Sequence, residues 1–168
     1  MSWVKPNCLW MMYRSGWGTK EYQEVTLALR VRRGFFDSLL AAAVPSSWER
    51  EQFATEEQLS REVGRSSVRL QWDPDHRPSG PKLERRAIQL GLRGEVLEAF
   101  GRRELLEVID LSEFVAEQRA RLSSGGVSAL VTPRERVYRL ADPKIASRLR
   151  LAEAPAAEPG ASADGGGG

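Results

Sequence analysis

The stretch YRSGWGTK, residues 13–20, combines the groups that an anion or nucleotide site needs. Two glycines and two hydroxyl residues near the end of a short helix leave backbone amides free, and two cations lie beside them. Two aromatic rings add flat faces on which a base could stack. The candidate ligand contacts are Tyr13, Arg14, Ser15, Trp17 and Lys20. The competing interpretation is an ordinary glycine-closed helix end with solvated cations.

Lys5 and Trp10 extend this candidate site toward the N-terminus. Pro6 suits a first helical turn, and no helix breaker follows between Asn7 and Arg14, so the sequence predicts a short helix there. Such a helix is roughly 12 Å long, so Lys5 and Arg14 at its two ends could span a dinucleotide but could not share one phosphate. Trp10 belongs either to the buried face of this helix or to the site, as a stacking platform.

A second candidate lies on the strand predicted for RRAIQLGL, residues 85–92. Ile88, Leu90 and Leu92 alternate with Gln89, so one face of this strand is apolar and Gln89 lies on the other. Gln89 is either a structural side chain with internal partners or a group that contacts a base or ribose in a cleft.

Two charged residues near Gln89 complete the candidates. Glutamine cannot act as a general base at neutral pH, so a transferase built on Gln89 would need another group for proton transfer, and Glu95 is the candidate. Arg86 is either a solvated cation or a contact for phosphate.

The composition excludes several classes of function. The 168 residues carry a formal net charge of only +2, which does not favour nucleic acid or a membrane surface as a general partner. A single cysteine, Cys8, cannot form an internal disulfide, and a single histidine, His76, disfavours zinc and triad chemistry. We expect His76 to be exposed in a loop formed by DPDHRPSGP, and no metal site.

Hydrophobic periodicity places the other elements. Alternation through Val25, Leu27, Leu29 and Val31 predicts a strand with one buried face. The pattern TEEQ at residues 55–58 predicts the capped start of a helix. Further helices are predicted at 35–43, 94–100 and 111–122, and further strands at 66–72 and 105–109. The fold class is therefore α+β, a single domain with a mostly antiparallel sheet and short flanking helices.

The two ends of the chain carry weaker signals. We expect an extended C-terminal arm over residues 123–150 and a disordered tail rich in alanine, proline and glycine over 151–168. No apolar run is long enough to span a membrane, and no secretory signal is present, so we expect an intracellular protein, cytoplasmic or nuclear.

The stretch WVKPNCLWMMYRSGWGTK, residues 3–20, resembles the signature W-[IV]-K-P-x-x-L-W-M-M-Y-R-S-G-W-x-T-K of the Domain of Unknown Function 4291 family. VRLQWDPDH and RRAIQLGLRGEVLEAF resemble later segments of that family, and PRERVY at 133–138 resembles the motif with which its members finish. The resemblance marks residues 1–122 as the family domain core. Members carry a further segment before the tryptophan that matches Trp3, so a missing N-terminal strand and helix are expected, with an open sheet edge.

The order of segments is similar to the layout of ADP-ribosyltransferase-type domains, with residues 13–17 as the aromatic and hydroxyl-rich segment and Gln89 as a late polar residue facing the cleft. The analogy implies nucleotide handling, with NAD or a related nucleotide as the cofactor. Two alternatives stay open: a non-catalytic module that binds a nucleic-acid end or a modified nucleotide, and a truncated, inactive family member.

Overall fold

Short helices alternate with strands along the chain in the computed structural model, which describes residues 1–47 and 53–151. A π-helical turn, Phe100–Glu104, follows the fourth helix, and a 3-10 turn, Val127–Ala129, follows the fifth. In chain order the elements are β1 (Ser2–Val4), α1 (Cys8–Ser15), β2 (Leu27–Val31), α2 (Arg33–Ala42), β3 (Val44–Pro45), α3 (Glu56–Arg65), β4 (Val68–His76), β5 (Lys82–Leu92), α4 (Gly94–Ala99), β6 (Leu105–Asp110), α5 (Ser112–Gly125) and α6 (Pro143–Arg148).

The strands form two sheets. A central sheet has the order β1-β5-β4-β3, in which β5 pairs antiparallel with both β1 and β4, and β3 pairs parallel with β4. β2 and β6 form a separate antiparallel pair. The predicted α+β class with a mostly antiparallel sheet and short helices is confirmed.

The central sheet has one apolar and one polar face. Leu70 lies opposite Leu90 in the β4–β5 register, and both are buried on the apolar face. Gln71 lies opposite Gln89 one position further along, so these side chains project from the other face. The apolar face carries the core, which comprises Leu39, Leu40, Ala43, Val68, Leu70, Leu90, Leu92 and Leu149. Full burial of each such leucine contributes about 1.5–3 kcal/mol.

The C-terminal segment packs against α2. The Arg148 guanidinium donates to the carbonyl oxygens of Leu40, Ala41 and Ala43 at the end of that helix, with distances of 2.7–3.2 Å. Leu149 follows directly and is buried in the core. This arrangement satisfies carbonyl groups that a helix C-terminus leaves without partners. Residues 152–168, which include most of the predicted tail, lie outside the described residues.

Several elements follow their sequence signals closely. The Oδ1 atom of Asn7 accepts the Trp10 N–H at the start of α1, and Gly16, with φ 58°, ends this helix in the left-handed conformation. At the start of α3, the hydroxyl of Thr55 accepts the Gln58 N–H, while the Gln58 side chain accepts the Ala54 N–H. The capped helix start predicted at Thr55 is confirmed. The first predicted helix is present, but it begins at Cys8 with Asn7 as its N-cap, so Pro6 precedes it.

Two predicted features are wrong. The apolar face of β2 is not buried: Leu27 and Leu29 are 51% and 38% exposed, because pairing with β6 covers an edge of β2 and not its face. The loop predicted for residues 73–81 is too long: residues 73–76 continue β4, because β5 pairs with it as far as Lys82, and only residues 77–81 form the turn. Among the described helices, none is long and apolar enough to cross a membrane.

Candidate functional site

A cavity of about 530 Å³ lies between β1, α1 and the polar face of the central sheet. Its volume is within the range of small-molecule sites. β1 and the residue after it form one wall, α1 forms the second, and β4 and β5 form the floor. The lining residues are Trp3, Val4, Lys5, Trp10, Met11, Arg14, Gln71, Asp73 and Gln89. Four of the residues proposed from sequence are therefore brought together: Lys5, Trp10, Arg14 and Gln89.

Two glutamines form the floor of this cavity. Gln71 and Gln89 face each other across β4 and β5, as the strand register requires. Gln71 Nε2 donates to Asp73 Oδ1 at 3.4 Å, a long contact, which turns the Gln71 carbonyl oxygen away from Asp73. The Gln89 side chain makes no hydrogen bond within the described chain, so its amide is available to a ligand as donor and acceptor.

Lys5 is held tightly on the wall of the cavity. Its Nζ lies 2.6 Å from Asp73 Oδ2 and 3.8 Å from the centre of the Trp10 ring. The side chains of Lys5 and Asp73 are only 2% and 14% exposed. Burial lowers the pKa of the Lys5 ammonium, and the hydrogen bond and negative charge of Asp73 oppose this shift without cancelling it.

Arg14 differs from Lys5 because its guanidinium is not paired with any other described residue. Its side chain lines the cavity from the last turn of α1 and is exposed to solvent. Within residues 1–47 and 53–151, the Arg14 guanidinium has no hydrogen bond and no ion pair. An anionic group entering the cavity would meet this cation first.

Trp3 forms the open wall. Trp3 is 45% exposed. Its ring lies over Gly91, the residue of β5 that pairs with Trp3 in the β1–β5 register. A Cβ atom at Gly91 would lie 3.0 Å from one Trp3 ring atom and 2.9 Å from Met1 Sδ. The absence of a side chain at Gly91 is therefore what lets the indole rest on the sheet.

Tyr13 does not reach the cavity. Its ring stacks on His76, with ring centroids 3.7 Å apart and an angle of 12° between the planes. His76 is only 2% exposed, and its Nδ1 lies 2.8 Å from the Gly80 carbonyl oxygen. The expectation of an exposed loop histidine is wrong, because residues 73–76 belong to a paired strand beneath α1.

The glycine-rich end of α1 is held by internal contacts. Ser15 is buried, and its hydroxyl accepts the Gly18 N–H at 3.1 Å. Lys20 Nζ donates to the Arg14 carbonyl oxygen at 2.8 Å, and the Trp17 carbonyl oxygen accepts from Arg119 at 2.8 Å. None of these three predicted site residues lines the cavity, so their contacts are those of a helix C-terminus.

Arg86 and Glu95 also lie away from the cavity. Arg86 alternates with Gln89 along β5 and therefore projects from the opposite face, where its guanidinium lies 5.4 Å from the centre of the Trp72 ring. Glu95 is exposed in the first turn of α4 and is not a lining residue. The structure brings neither of them to Gln89.

Sequence reasoning missed five lining residues, Trp3, Val4, Met11, Gln71 and Asp73. Gln71 and Asp73 alternate with Val68, Leu70 and Trp72 on β4, which places them on the polar face. The alternation could therefore have predicted Gln71 and Asp73 as lining residues. The contact between Asp73 and Lys5 could not be predicted, because it joins residues 68 positions apart and depends on the placement of β1 and β4 on either side of β5.

Two carboxylates, one buried and one exposed, hold neighbouring elements in place near α1. Asp75 is fully buried and its carboxylate accepts two hydrogen bonds from Arg85, one of them at 2.8 Å from Nε. Glu135 accepts from the Cys8 N–H at 2.7 Å and from Asn7 Nδ2 at 3.2 Å, at the start of α1. Burial raises the pKa of Glu135, more than the bond from Cys8 lowers it.

The chemistry of these groups excludes some roles. Burial, together with the negative charge of Glu135, raises the pKa of the Cys8 thiol, which disfavours the reactive thiolate. Within the described ranges, no three His, Cys, Asp or Glu side chains are grouped to hold a metal ion. Among its lining groups, the cavity presents one unpaired guanidinium, two indole rings and two side-chain amides, from Arg14, Trp3, Trp10, Gln71 and Gln89.

Comparison with known proteins yields a family and nothing finer. The family model described as Domain of unknown function (DUF4291) matches residues 1–138. No curated protein matches the chain, and no solved structure does. The match extends from β1 to the segment that carries Glu135, so it includes every residue that lines the cavity.

Proposed function

The chain belongs to the DUF4291 family of domains of unknown function, and on that premise we propose that it binds a nucleotide in the cavity between α1 and the central sheet. The single observation that supports this proposal is the composition of the lining. Arg14 and Trp10 from one face of α1 and Gln89 from β5 meet around one half-open space of about 530 Å³.

Four of the lining residues have a role in this proposal. Arg14 binds a phosphate group, since its guanidinium has no internal partner among the described residues. Trp3 and Trp10 supply apolar ring surface against which a base packs. Gln89, with its amide free, donates to and accepts from the base or the ribose.

The lining supports binding more directly than group transfer. Asp73 is the only carboxylate among the lining residues, and its oxygens already accept from Lys5 and Gln71. Glu95, the candidate for proton transfer, lies outside the cavity. In the enzyme form of the proposal, with NAD or a related nucleotide as the substrate, Gln89 orients the ribose.

A second candidate function is recognition of the terminal nucleotide of RNA or DNA. The exposed edge of Trp3 and the exposed Arg14 favour it, because a bound nucleotide would keep one side open to solvent, through which a strand could continue. This form of binding requires no chemistry.

Isothermal titration of the full chain with AMP, ADP-ribose, NAD and short RNA and DNA oligomers tests the proposal. We expect saturable binding of at least one nucleotide, weakened at least tenfold, or about 1.4 kcal/mol, by Arg14→Ala. Arg86→Ala is the matched control, since Arg86 lies on the opposite face of β5. Absence of binding to every ligand, or an equal loss in both variants, would overturn the proposal.

A further inference from the structure

We propose that Asp73 restricts the cavity to a nucleotide with a single phosphate group, because its carboxylate neutralises Lys5 and leaves Arg14 as the only unpaired cation among the described residues that line the cavity. This inference rests on the proposed nucleotide-binding function. It assigns to Asp73 a role in specificity. Lys5, which the sequence suggested as a contact for phosphate, serves instead as the ion-pair partner of Asp73.

Lys5 is unavailable to a phosphate for geometric reasons. Its ammonium contacts Asp73 Oδ2 at 2.6 Å on one side and the Trp10 ring at 3.8 Å on another. With 2% of the Lys5 side chain exposed, little of the group faces the cavity. A phosphate could bind it only by displacing Asp73, whose own negative charge would then be left near the phosphate.

The charges along the lining add to the argument. Lys5 and Arg14 carry one positive charge each, and Asp73 carries one negative charge, so the lining has a net charge of +1. Asp75, a buried carboxylate two residues after Asp73, is paired with Arg85 and leaves this sum unchanged. A second or third phosphate would find no further lining cation and would approach Asp73.

A phosphomonoester of a nucleoside fits these conditions. Its phosphate group would bind Arg14. Its base would pack against the two tryptophans and hydrogen-bond to the glutamine amides. A free nucleoside monophosphate and the phosphorylated end of an oligonucleotide present the same chemistry. They are distinguished by comparing AMP with trinucleotides that carry either a 5′-phosphate or a 5′-hydroxyl.

The phosphate series AMP, ADP and ATP, titrated into the full chain with EDTA present to remove divalent cations, tests the inference. In the wild type we expect ADP and ATP to bind no more tightly than AMP. Asp73→Asn raises the net charge of the lining to +2, so we expect ATP to gain roughly fivefold or more in affinity relative to AMP. Low ionic strength keeps this effect measurable.

A double variant, Lys5→Met with Asp73→Asn, is the matched control. It removes both charges of the pair and keeps the net charge at +1, so the wild-type order of affinities should return. If Asp73→Asn does not fold, Lys5→Met alone takes its place: the net charge falls to zero, AMP binding should weaken, and the double variant should restore it.

The outcomes separate the inference from the function on which it rests. Wild-type affinity that rises with each added phosphate, or an order that neither single variant changes, would overturn the inference while nucleotide binding stands. No binding of any nucleotide or oligonucleotide would overturn the proposed function and the inference together. A preference for the 5′-phosphorylated trinucleotide over AMP would assign the site to nucleic-acid ends.

Discussion

The ring of Tyr13 on α1 stacks on the ring of His76 on β4, with centroids 3.7 Å apart. This contact joins the helix that forms one wall of the cavity to the strand that forms part of its floor. Lys5 and Asp73 join β1 to the same strand. The elements that bound the cavity therefore contact one another directly, so the site is formed before a ligand binds.

The Tyr13–His76 stack can be tested by mutation. Tyr13→Ala should lower the free energy of unfolding by about 1 kcal/mol, the usual contribution of a paired aromatic, while nucleotide affinity stays within twofold. Urea denaturation followed by circular dichroism measures the first quantity. Tyr22→Ala is the control, because Tyr22 is 90% exposed and has no ring contact within the described chain. A loss no larger than that of Tyr22→Ala would show that the stack does not stabilise the fold.

Gln89 should matter for binding and not for stability. Its side chain has no hydrogen bond within residues 1–47 and 53–151, so Gln89→Leu removes no internal partner. We expect the free energy of unfolding to change by less than about 0.5 kcal/mol and nucleotide affinity to fall roughly fivefold, the loss of one hydrogen bond. Titration calorimetry and denaturation measure the two effects. A variant that unfolds more easily but binds normally would make Gln89 a structural residue.

Gly91 should control the position of Trp3. A methyl group at this position would lie about 3 Å from the indole ring and from Met1 Sδ, so Gly91→Ala should displace Trp3 and weaken nucleotide binding. The change in intrinsic fluorescence and a titration with AMP report these two effects. Normal binding together with an unchanged spectrum would show that Trp3 is not part of the site.

Gly64 offers the matched glycine variant. It lies in α3, where an added Cβ would meet no atom within 4 Å. Gly64→Ala should raise the free energy of unfolding by up to about 1 kcal/mol, because alanine is the better helix former, and should leave binding unchanged. Equal losses of binding in the two alanine variants would contradict the special role of Gly91.

The sequence predicted single elements better than it predicted their partners. The apolar alternation of Ile88, Leu90 and Leu92 correctly placed Gln89 on the opposite face of its strand, since strand periodicity is a local property. The pairing of Lys5 with Asp73 was not predictable, because it depends on the register of three strands. Turn residues after Trp72 indicated a loop, yet the hydrogen bonds of a long antiparallel pair outweighed that local preference.

Glu135 should give the free energy of unfolding a pH dependence that Glu135→Gln lacks. Burial raises the pKa of this carboxyl above its ordinary value of 4.5, so the folded protein retains the proton to a higher pH than the unfolded chain does. The stabilisation from this shift is complete below pH 4.5 and is lost as the pH rises through the raised pKa of the folded state. Relative to Glu135→Gln, the wild type should therefore lose stability as the pH rises above 4.5. Urea denaturation of both proteins at a series of pH values from 4.5 upward measures the difference.

The pairing of Glu135 with the start of α1 opposes this trend, because a carboxylate that accepts from the Cys8 N–H is favoured by the helix dipole. The direction of the pH dependence therefore decides which effect is larger. Glu117→Gln, on the exposed side of α5, controls for the loss of a carboxylate elsewhere. If the wild type instead gains stability over the variant as the pH rises, the charged hydrogen bond at the helix N-terminus outweighs the partial desolvation of Glu135, and the prediction of a raised pKa is wrong.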